Sequence, residues 1–456
     1  MARHGKVTGQ NVISLEEGKA AALNLGIFVA VVASQVFFFP IPCYIGCMTS
    51  RRQFIKKGLL GSVGVLPLTH LRINPPLEEL KNASSDDELF ALVRKQLHVP
   101  NGRVYLNTGS LGPSPVIVTD EVHAMMRQLE MNPAIENWGD LGARMEQVRA
   151  KVAGFVNADV EDIILTRNTT EGLSLIGQSL QLKEGDEILT TTHEHGGGEI
   201  GLEYLAATQG AVIKKLQMPV PALSKEAVIE AVVGNITAKT KVVMLSHVNT
   251  LTGLKMPFEE ISKITKAKGI VLIADGAQAP GLISVDVKSM GVDAYAASGH
   301  KWMLGPKETG FVCWSKELQQ KINPVFTSSG FESYSASSGT RNVALISGLG
   351  VAIDWLNLIG KEKIENRCLE IRSYCLSRLK ELKGIVIISP QADSLSTGIV
   401  SFTLKEGEYR KVAAELAKED IIVKVLPKYN GIRISCHMFV SKPDIDRFIQ
   451  SFSGLI

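Results

Sequence analysis

The sequence predicts an α/β fold in which helices cover both faces of a mostly parallel sheet. Strand-like and helix-like patterns alternate from about residue 162 to residue 312. The strand-like runs are short and continuously apolar, which is typical of parallel strands that are buried on both faces. From about residue 344 the pattern changes to a long helical segment, at 345–361, and then to mixed helices and strands. This change predicts a second, smaller α+β domain.

The composition is that of a large globular protein. Its 456 residues include 45% hydrophobic side chains, which is enough for a substantial core. The 49 basic and 46 acidic residues leave a net charge of only +3, which gives no support for binding to nucleic acid. No G-x-G-x-x-G motif follows a first strand, so a nucleotide-binding dehydrogenase is disfavoured. The six cysteines show neither a zinc spacing nor a redox pair.

The N-terminal region is expected to lie outside the main fold. Residues 50–56 read SRRQFIK and match a twin-arginine export signal, and residues 58–68 supply the modest apolar region that follows one. This predicts recognition by the twin-arginine export machinery and a periplasmic or exported protein. The alternative is a basic amphipathic surface helix.

The apolar stretch 25–39 is long enough for a signal core but marginal for a membrane span. Because Met48 stands just before the twin-arginine motif, we expect translation to start there and the preceding residues to be a mispredicted extension. A hydrophobic membrane anchor is the alternative. The expected order along the chain is an extension or anchor, a signal with its linker, a segment packed on the smaller domain, the large domain and the small domain, at 1–47, 48–80, 81–114, 115–343 and 344–456.

An aspartate and a lysine each follow a predicted strand. Asp275 ends the apolar run 269–274, and Lys301 comes shortly after the run 292–297. Ligands of open α/β sheets collect at the carboxyl ends of strands. A lysine amine can carry the aldehyde of pyridoxal 5′-phosphate, and a carboxylate can keep the pyridine nitrogen of that cofactor protonated. The pair predicts a pyridoxal-phosphate enzyme, whereas either residue alone would be interpreted as a solvated loop lysine or as an aspartate that caps a turn.

With four further motifs, the chain resembles the class V aminotransferase family of fold-type I pyridoxal-phosphate enzymes. The motifs are TRNTTEG, THEHGGG, SHVNTLTG and GTRN, at 166–172, 192–198, 246–253 and 339–342. The resemblance runs from about Tyr105 to the C-terminus and is strongest to the isopenicillin N epimerase-like branch, with the cysteine desulfurase-like branch beside it. It implies a large cofactor-binding domain and a smaller domain.

The first motif lies between a strand-like run and a helical run. A helix start there would direct free backbone N–H groups and the hydroxyl groups of Thr169 and Thr170 at the cofactor phosphate, as the family does. An ordinary helix N-cap is the alternative. Ser298 and His300, which both precede Lys301 in the chain, are assigned to the same cofactor site.

In the second motif, the resemblance makes His195 the ring that stacks on the pyridine face. A metal site at His193 and His195 is the less favoured alternative, because no third ligand is spaced nearby, and no metal is predicted. In the third motif, desulfurases carry an asparagine three residues after the histidine to contact the cofactor's ring hydroxyl. Here that position is Thr250, Asn249 stands one residue earlier, and Gln278 is a further candidate.

The fourth motif implies a homodimer with shared active sites, since the family's threonine, here Thr340, donates to the phosphate of the neighbouring subunit. A glycine turn is the alternative. Arg433 matches the family's carboxylate-binding arginine, and a guanidinium can hold a substrate carboxylate with two parallel hydrogen bonds. Asn107 resembles a loop residue that closes over the same pocket. Both could instead be ordinary surface or turn residues.

The residues imply removal of the α-proton from a small amino-acid-like substrate by Lys301. Epimerisation, transamination or elimination could follow, because the shared intermediate precedes the branch. Desulfurase activity ranks lower, since the stretch 425–431 before the arginine has no cysteine and Cys436 is expected to pack in a strand. A catalytically idle, exported binding protein with the same fold is the alternative from another class.

Overall fold

The computed structural model describes residues 75–322 and 340–456, with the side chains of residues 75, 76, 138 and 140–142 left out. The predicted export signal and translation start therefore lie outside the described residues. The boundaries proposed between a large and a small domain stay a prediction.

A central sheet of seven strands carries the middle of the chain. Its strand order is β2-β8-β7-β6-β5-β3-β4, and only β8 runs antiparallel to its neighbours. The mostly parallel α/β fold predicted from the sequence is thereby confirmed. The strands are β2 Ile163–Thr166, β3 Glu187–Thr191, β4 Val212–Leu216, β5 Thr240–Ser246, β6 Val271–Asp275, β7 Ala294–Ser298 and β8 Gly310–Trp314.

A second, antiparallel sheet of four strands follows in the order β12-β13-β10-β9. A two-residue parallel pair joins β1 to β11, so that the N-terminal segment pairs with the C-terminal region. Arg103 also forms an ion pair with Asp420 at 2.8 Å. These strands are β1 Val104–Tyr105, β9 Ile385–Ile387, β10 Ile399–Leu404, β11 Ile421–Ile422, β12 Lys424–Leu426 and β13 Gly431–Ser435.

The helices begin where side chains can cap them. Ser85, Asn168, Ser224 and Ser441 each accept a hydrogen bond from a backbone N–H of the first turn that follows. The helices are α1 Pro75–Lys81, α2 Asp86–Lys95, α3 Val116–Met131, α4 Pro133–Trp138, α5 Asp140–Val156, α6 Thr169–Ser179, α7 Gly196–Gln209, α8 Lys225–Val233, α9 Phe258–Ala267, α10 Val287–Met290, α11 Lys316–Gln319, α12 Val343–Ile359, α13 Lys361–Lys380, α14 Tyr409–Lys418 and α15 Lys442–Ser453.

The two faces of the central sheet pack into separate hydrophobic clusters. Along β5, Val242 and Met244 pack into one cluster with residues of α6 and α7, whereas Val243 and Leu245 point into the other. The strands are apolar throughout because both faces are covered, as the continuous runs predict.

Helices α6 and α7 cross at two glycines. A Cβ on Gly177 would lie 2.5 Å from the Gly201 carbonyl oxygen, and a Cβ on Gly201 would lie 2.5 Å from that of Leu173. Glycine at both positions therefore allows the backbones to touch. This close crossing brings the two helix starts together at one edge of the sheet, which is where the site lies.

The long helix predicted at 345–361 is present as α12, Val343–Ile359, and a second helix, α13, begins directly after it at Lys361. Helix α12 ends at Ile359 because Gly360 adopts a positive φ of 100°, and α13 then begins. Most side chains of α12 are buried, and the helix packs on α3 and α5. In the described parts of the chain no single helix is long and apolar enough to cross a membrane, and only the bent pair of α12 and α13 reaches that length and composition jointly.

Candidate active site

A cavity of about 550 Å³ opens at the carboxyl ends of the central strands. The loops that follow parallel strands all begin at this edge, which is where ligands of open α/β sheets bind. The cavity gathers most of the predicted site residues. Its lining is Gly109, Ser110, Asn168, Thr169, Thr170, His195, Gly198, Thr250, Asp275, Ala277, Gln278, Ser298, His300, Lys301, Lys424 and Arg433.

Asp275 and Lys301 both line this cavity, as the sequence predicts. Asp275 is the last residue of β6, and its Oδ1 accepts a hydrogen bond from Ala277 N at 2.9 Å. A Cβ on Gly198 would lie 2.9 Å from Oδ2, so glycine leaves the cavity open down to the carboxylate. Burial raises the pKa of Asp275, while the positive charge of Lys301 acts in the opposite direction.

Lys301 lies in the loop after β7, and burial lowers the pKa of its amine to about 8. The charge of Asp275 opposes this shift, whereas the nearby Arg433 and Lys424 add to it. About a tenth of the amine is therefore uncharged at pH 7, far more than for an exposed lysine, and the uncharged form is the one that acts as a nucleophile or base.

One end of the cavity is lined with hydroxyl groups. Ser298 Oγ accepts a hydrogen bond from Thr169 N at 2.9 Å and lies 2.7 Å from Thr169 Oγ1. Thr169 begins α6, as predicted, so the positive end of that helix points here. His300 lines the same cavity, its Nδ1 is buried and has no hydrogen-bond partner among the residues that the structure describes, and burial lowers its pKa to about 4. Neutral donors and a helix start together form an anion-binding end.

The imidazole of His195 is exposed at the cavity, one residue before α7 begins. Its Nδ1 accepts a hydrogen bond from Gly197 N at 3.1 Å, which fixes the ring orientation. Burial, followed by the charge of Lys301, lowers its pKa, so the ring is a neutral surface. No group of three or more His, Cys, Asp or Glu residues suited to a metal ion is found among the residues described.

The opposite end is built around Arg433, which lies in β13 and is only 2% exposed. Its Nη1 donates to Thr250 O at 3.0 Å and to Thr250 Oγ1 at 2.9 Å, and its Nη2 donates to Asn107 Oδ1 at 3.4 Å and to Ser110 Oγ at 3.3 Å. Its Nε has no partner, and no carboxylate pairs with it among the described residues. Burial lowers its pKa to about 10. A buried guanidinium without a counterion favours binding of an anion.

Of the three candidates for the cofactor's ring oxygen, Thr250 and Gln278 line the cavity and Asn249 does not. Asn249 donates to His193 O at 3.1 Å and accepts hydrogen bonds from Leu251 N and Thr252 N, so its side chain is used to hold the turn. Gln278 Nε2 donates to Gly109 O and Thr250 Oγ1, and its Oε1 accepts from the Trp302 indole at 2.7 Å.

Thr340 is exposed and does not line the cavity of its own chain. Asn107 also stays outside the lining, and it supports Arg433 instead of facing the cavity. None of the described cysteines lines the cavity, and all four are buried, namely Cys313, Cys368, Cys375 and Cys436.

The structure adds residues that the sequence analysis did not assign. Glu194 accepts hydrogen bonds from Thr191 Oγ1 at 2.7 Å and from Ser246 Oγ, and burial raises its pKa to about 7. Lys424 and Ser110 both line the cavity. Lys424 could have been found by counting outward from the turn before the arginine, because that hairpin pairs Lys424 with Arg433.

The donor set fits the predicted cofactor. A partly uncharged lysine can bind its aldehyde, a buried carboxylate can pair with its ring nitrogen, and a neutral imidazole can lie on its ring. The unpartnered Nδ1 of His300 and the start of α6 suit its phosphate, and the unpartnered Nε of Arg433 leaves a donor free for a substrate carboxylate.

Comparisons with known proteins agree with this geometry. The sequence model of the aminotransferase class V family matches residues 105–448. A protein of Halalkalibacterium halodurans named "Probable cysteine desulfurase" is 31% identical over 80% of this chain and 96% of its own length. An isopenicillin N epimerase of Amycolatopsis lactamdurans is 26% identical over 80% of this chain and 98% of its own length.

Solved structures show the same fold. A cysteine desulfurase from Thermococcus onnurineus superposes with a TM-score of 0.69 at 25% identity, covering 80% of this chain and 97% of that one. A cystine C–S lyase in complex with cysteine persulfide gives a TM-score of 0.72 at 22% identity, covering 78% of this chain and 98% of that one.

Proposed function

Because the chain belongs to the class V aminotransferase family of pyridoxal-phosphate-dependent enzymes, we propose that it acts on the α-carbon of an amino acid through Lys301. The observation that carries this proposal is that Lys301 and Arg433 line the same cavity. The buried guanidinium has no carboxylate partner in the described structure, so it is poised to bind the carboxylate of a substrate.

When bound, pyridoxal phosphate stabilises the negative charge that develops at the substrate α-carbon. Thr169, Thr170, Ser298 and His300 would hold its phosphate, and Asp275 would hold a proton on its ring nitrogen. Burial raises the pKa of that carboxyl, so pairing with a protonated ring nitrogen also relieves the cost of burying its charge.

The protein's own residues then position and move one proton. Arg433 holds the substrate carboxylate, and this fixes which bond of the α-carbon faces the lysine. The amine of Lys301 accepts the α-proton, and a pKa of about 8 leaves enough uncharged amine for this role. Gln278 and Thr250 form the wall beside the arginine, because Thr250 Oγ1 accepts hydrogen bonds from both Gln278 Nε2 and Arg433 Nη1.

Epimerisation is the reaction that we favour. The isopenicillin N epimerases of Amycolatopsis lactamdurans and Streptomyces clavuligerus match 80% and 77% of this chain and 98% and 94% of their own lengths. The second candidate is a desulfurase or lyase reaction, because a relative at 31% identity is named a cysteine desulfurase. Burial raises the pKa of Cys313 to about 12 and that of Cys436 well above its usual value, so neither is a ready nucleophile, and residues 323–339 contain no cysteine.

We also propose that two copies form a dimer with shared sites. Thr340 is exposed and does not line its own cavity, as expected if it serves the partner's phosphate. Exposed apolar side chains along α3 and α4 offer a surface for the second copy: Val116, Met126, Met131 and Ile135. Analytical ultracentrifugation tests this state, and a monomer that binds the cofactor normally would contradict it.

Export by the twin-arginine pathway remains part of the proposal, supported by residues 50–56. A fusion of residues 48–80 to a reporter that is active only after export should reach the periplasm. Replacing Arg51 and Arg52 with lysine should block that export, and an unchanged distribution would contradict the proposal.

The first experiment is an absorption spectrum of the purified protein beside Lys301→Ala, before and after addition of L- and D-amino acids. We expect a visible cofactor band that depends on Lys301 and that shifts with one class of amino acid. A colourless protein that pyridoxal phosphate cannot restore would contradict the enzyme and favour an idle binding protein. Chiral analysis of the recovered amino acid, with assays for sulfide and for keto acid, then separates epimerisation from elimination and transamination.

A further inference from the structure

We infer that Lys424 binds a second carboxylate, on the side chain of the substrate, so that the preferred substrate is an amino acid with two acidic groups. The inference rests on the proposed function and narrows its substrate class. Lys424 lies in β12 and lines the same cavity as Lys301 and Arg433.

Lys424 and Arg433 are direct cross-strand neighbours. The antiparallel register of β12 and β13 places Lys424 opposite Arg433, so the two side chains leave the sheet on the same face. Like charges directly opposite each other destabilise a sheet unless an anion lies between them. Two neighbouring cations at this position therefore favour a ligand that carries two negatively charged groups.

The protein itself does not neutralise this pair within its described residues. Lys424 forms no ion pair and no side-chain hydrogen bond with another described residue, and Arg433 donates only to neutral oxygens. Among the described residues that line the cavity, Asp275 is the one carboxylate, against three cations. A substrate with a single carboxylate would occupy Arg433 and leave the charge of Lys424 uncompensated.

The position of Lys424 separates this role from binding of the cofactor phosphate. The hydroxyl groups at the phosphate end belong to Thr169, which follows β2, and to Ser298, which is the last residue of β7. Arg433 contacts Thr250, which follows β5, and β5 lies beyond β6 in the sheet order. Lys424 pairs with Arg433, so it belongs to the arginine end of the cavity, across β6 from the hydroxyl groups.

Lys424 is exposed at the cavity wall, whereas Arg433 is buried beneath it. The guanidinium therefore suits the α-carboxylate, which must be held rigidly beside the lysine base, and the flexible Lys424 suits a carboxylate further along the side chain. Because Lys424 is exposed, its contribution should be modest and should weaken with added salt.

The test compares substrates that differ only in a side-chain acid or amide. Glutamate with glutamine and aspartate with asparagine are matched pairs, and exchange of the α-proton in heavy water, followed by NMR, reports the shared first step of every candidate reaction. With the holoenzyme we expect the acid to be preferred in kcat/KM by about two- to fivefold, which is the range for an exposed ion pair. The preference should arise mainly in KM and should fall as potassium chloride is added.

Lys424→Gln should bring the acid-to-amide ratio to about one and remove its salt dependence, and Lys424→Glu should invert the ratio. Lys411→Gln is the matched control, since Lys411 is an exposed lysine on α14 outside the cavity, and its ratio should equal that of the wild type.

Equal rates for acid and amide in the wild type, a preference that Lys424→Gln retains, or a cofactor-loaded protein that exchanges neither acid would each overturn the inference. A loss of cofactor affinity in Lys424→Gln with an unchanged ratio would also overturn it and would assign Lys424 to the phosphate. A protein without a cofactor band and without exchange of any amino acid would instead contradict the proposed function itself.

Discussion

Replacing Arg433 with glutamine should greatly weaken substrate binding while leaving the substrate-free protein nearly as stable as the wild type. Burial lowers the pKa of Arg433 to about 10, so holding its charge in the folded protein costs roughly 3 kcal/mol relative to a solvated guanidinium. Against this, the guanidinium makes hydrogen bonds to Thr250, Asn107 and Ser110, worth about 1 kcal/mol each. The two contributions nearly cancel, so the free energy of unfolding should change by less than about 2 kcal/mol.

Substrate binding, in contrast, loses its contact with the guanidinium and has no compensating gain. A paired, charge-assisted contact to a carboxylate is worth about 3 kcal/mol, which corresponds to an increase of about a hundredfold in KM. Arg433→Lys, which keeps the charge but cannot form two parallel hydrogen bonds, should fall between glutamine and the wild type.

The assay measures α-proton exchange against substrate concentration, beside thermal unfolding of the apoprotein. Arg372→Gln is the matched control, because Arg372 is also buried but lies outside the cavity, where it donates to Pro390 O at 2.7 Å. That variant should change the unfolding temperature and leave KM as in the wild type. A KM for Arg433→Gln within about fivefold of the wild type would refute the assignment of the carboxylate to this arginine.

Three further predictions follow from the same geometry. Asp275→Asn should still bind the cofactor but should slow α-proton exchange by about a hundredfold or more, because a neutral amide cannot hold a proton on the ring nitrogen; an unchanged rate would contradict that role. Reconstitution of the apoprotein with pyridoxal phosphate, followed by the visible band, should accelerate about tenfold between pH 7 and pH 9, because the pKa of Lys301 is about 8 and only the uncharged amine attacks the aldehyde; a rate that keeps rising toward pH 10.5 would indicate an unshifted lysine. Gly112→Ala should destabilise the protein by about 2 kcal/mol or more, since a Cβ there would lie 2.0 Å from the Lys301 carbonyl oxygen, whereas Gly154→Ala, with nothing within 4 Å in a helix, should be neutral or slightly stabilising in the same unfolding experiment.

Much of this protein follows from the sequence by itself. Apolar runs that end on a polar residue predict β6 and β7. A strand that is covered on both faces is apolar along its length, so a charged side chain is accommodated only at its end. The start of α6 at Thr169 follows from a capping residue, Asn168, in front of a helical pattern. The resemblance then attached a chemical role to Asp275, Lys301 and Arg433, and the cavity brings all three together.

Tertiary structure decided what depends on contacts between distant segments. Asn249 and Thr250 are neighbours in the chain, and only the turn that uses the Asn249 side chain shows that Thr250 faces the cavity. Lys424 carries no motif, and its importance comes from lying opposite Arg433 without an acidic partner in the described chain. Local patterns report capping and burial of each segment, whereas charge compensation is a property of the whole cavity, and it became visible only once the strands were paired.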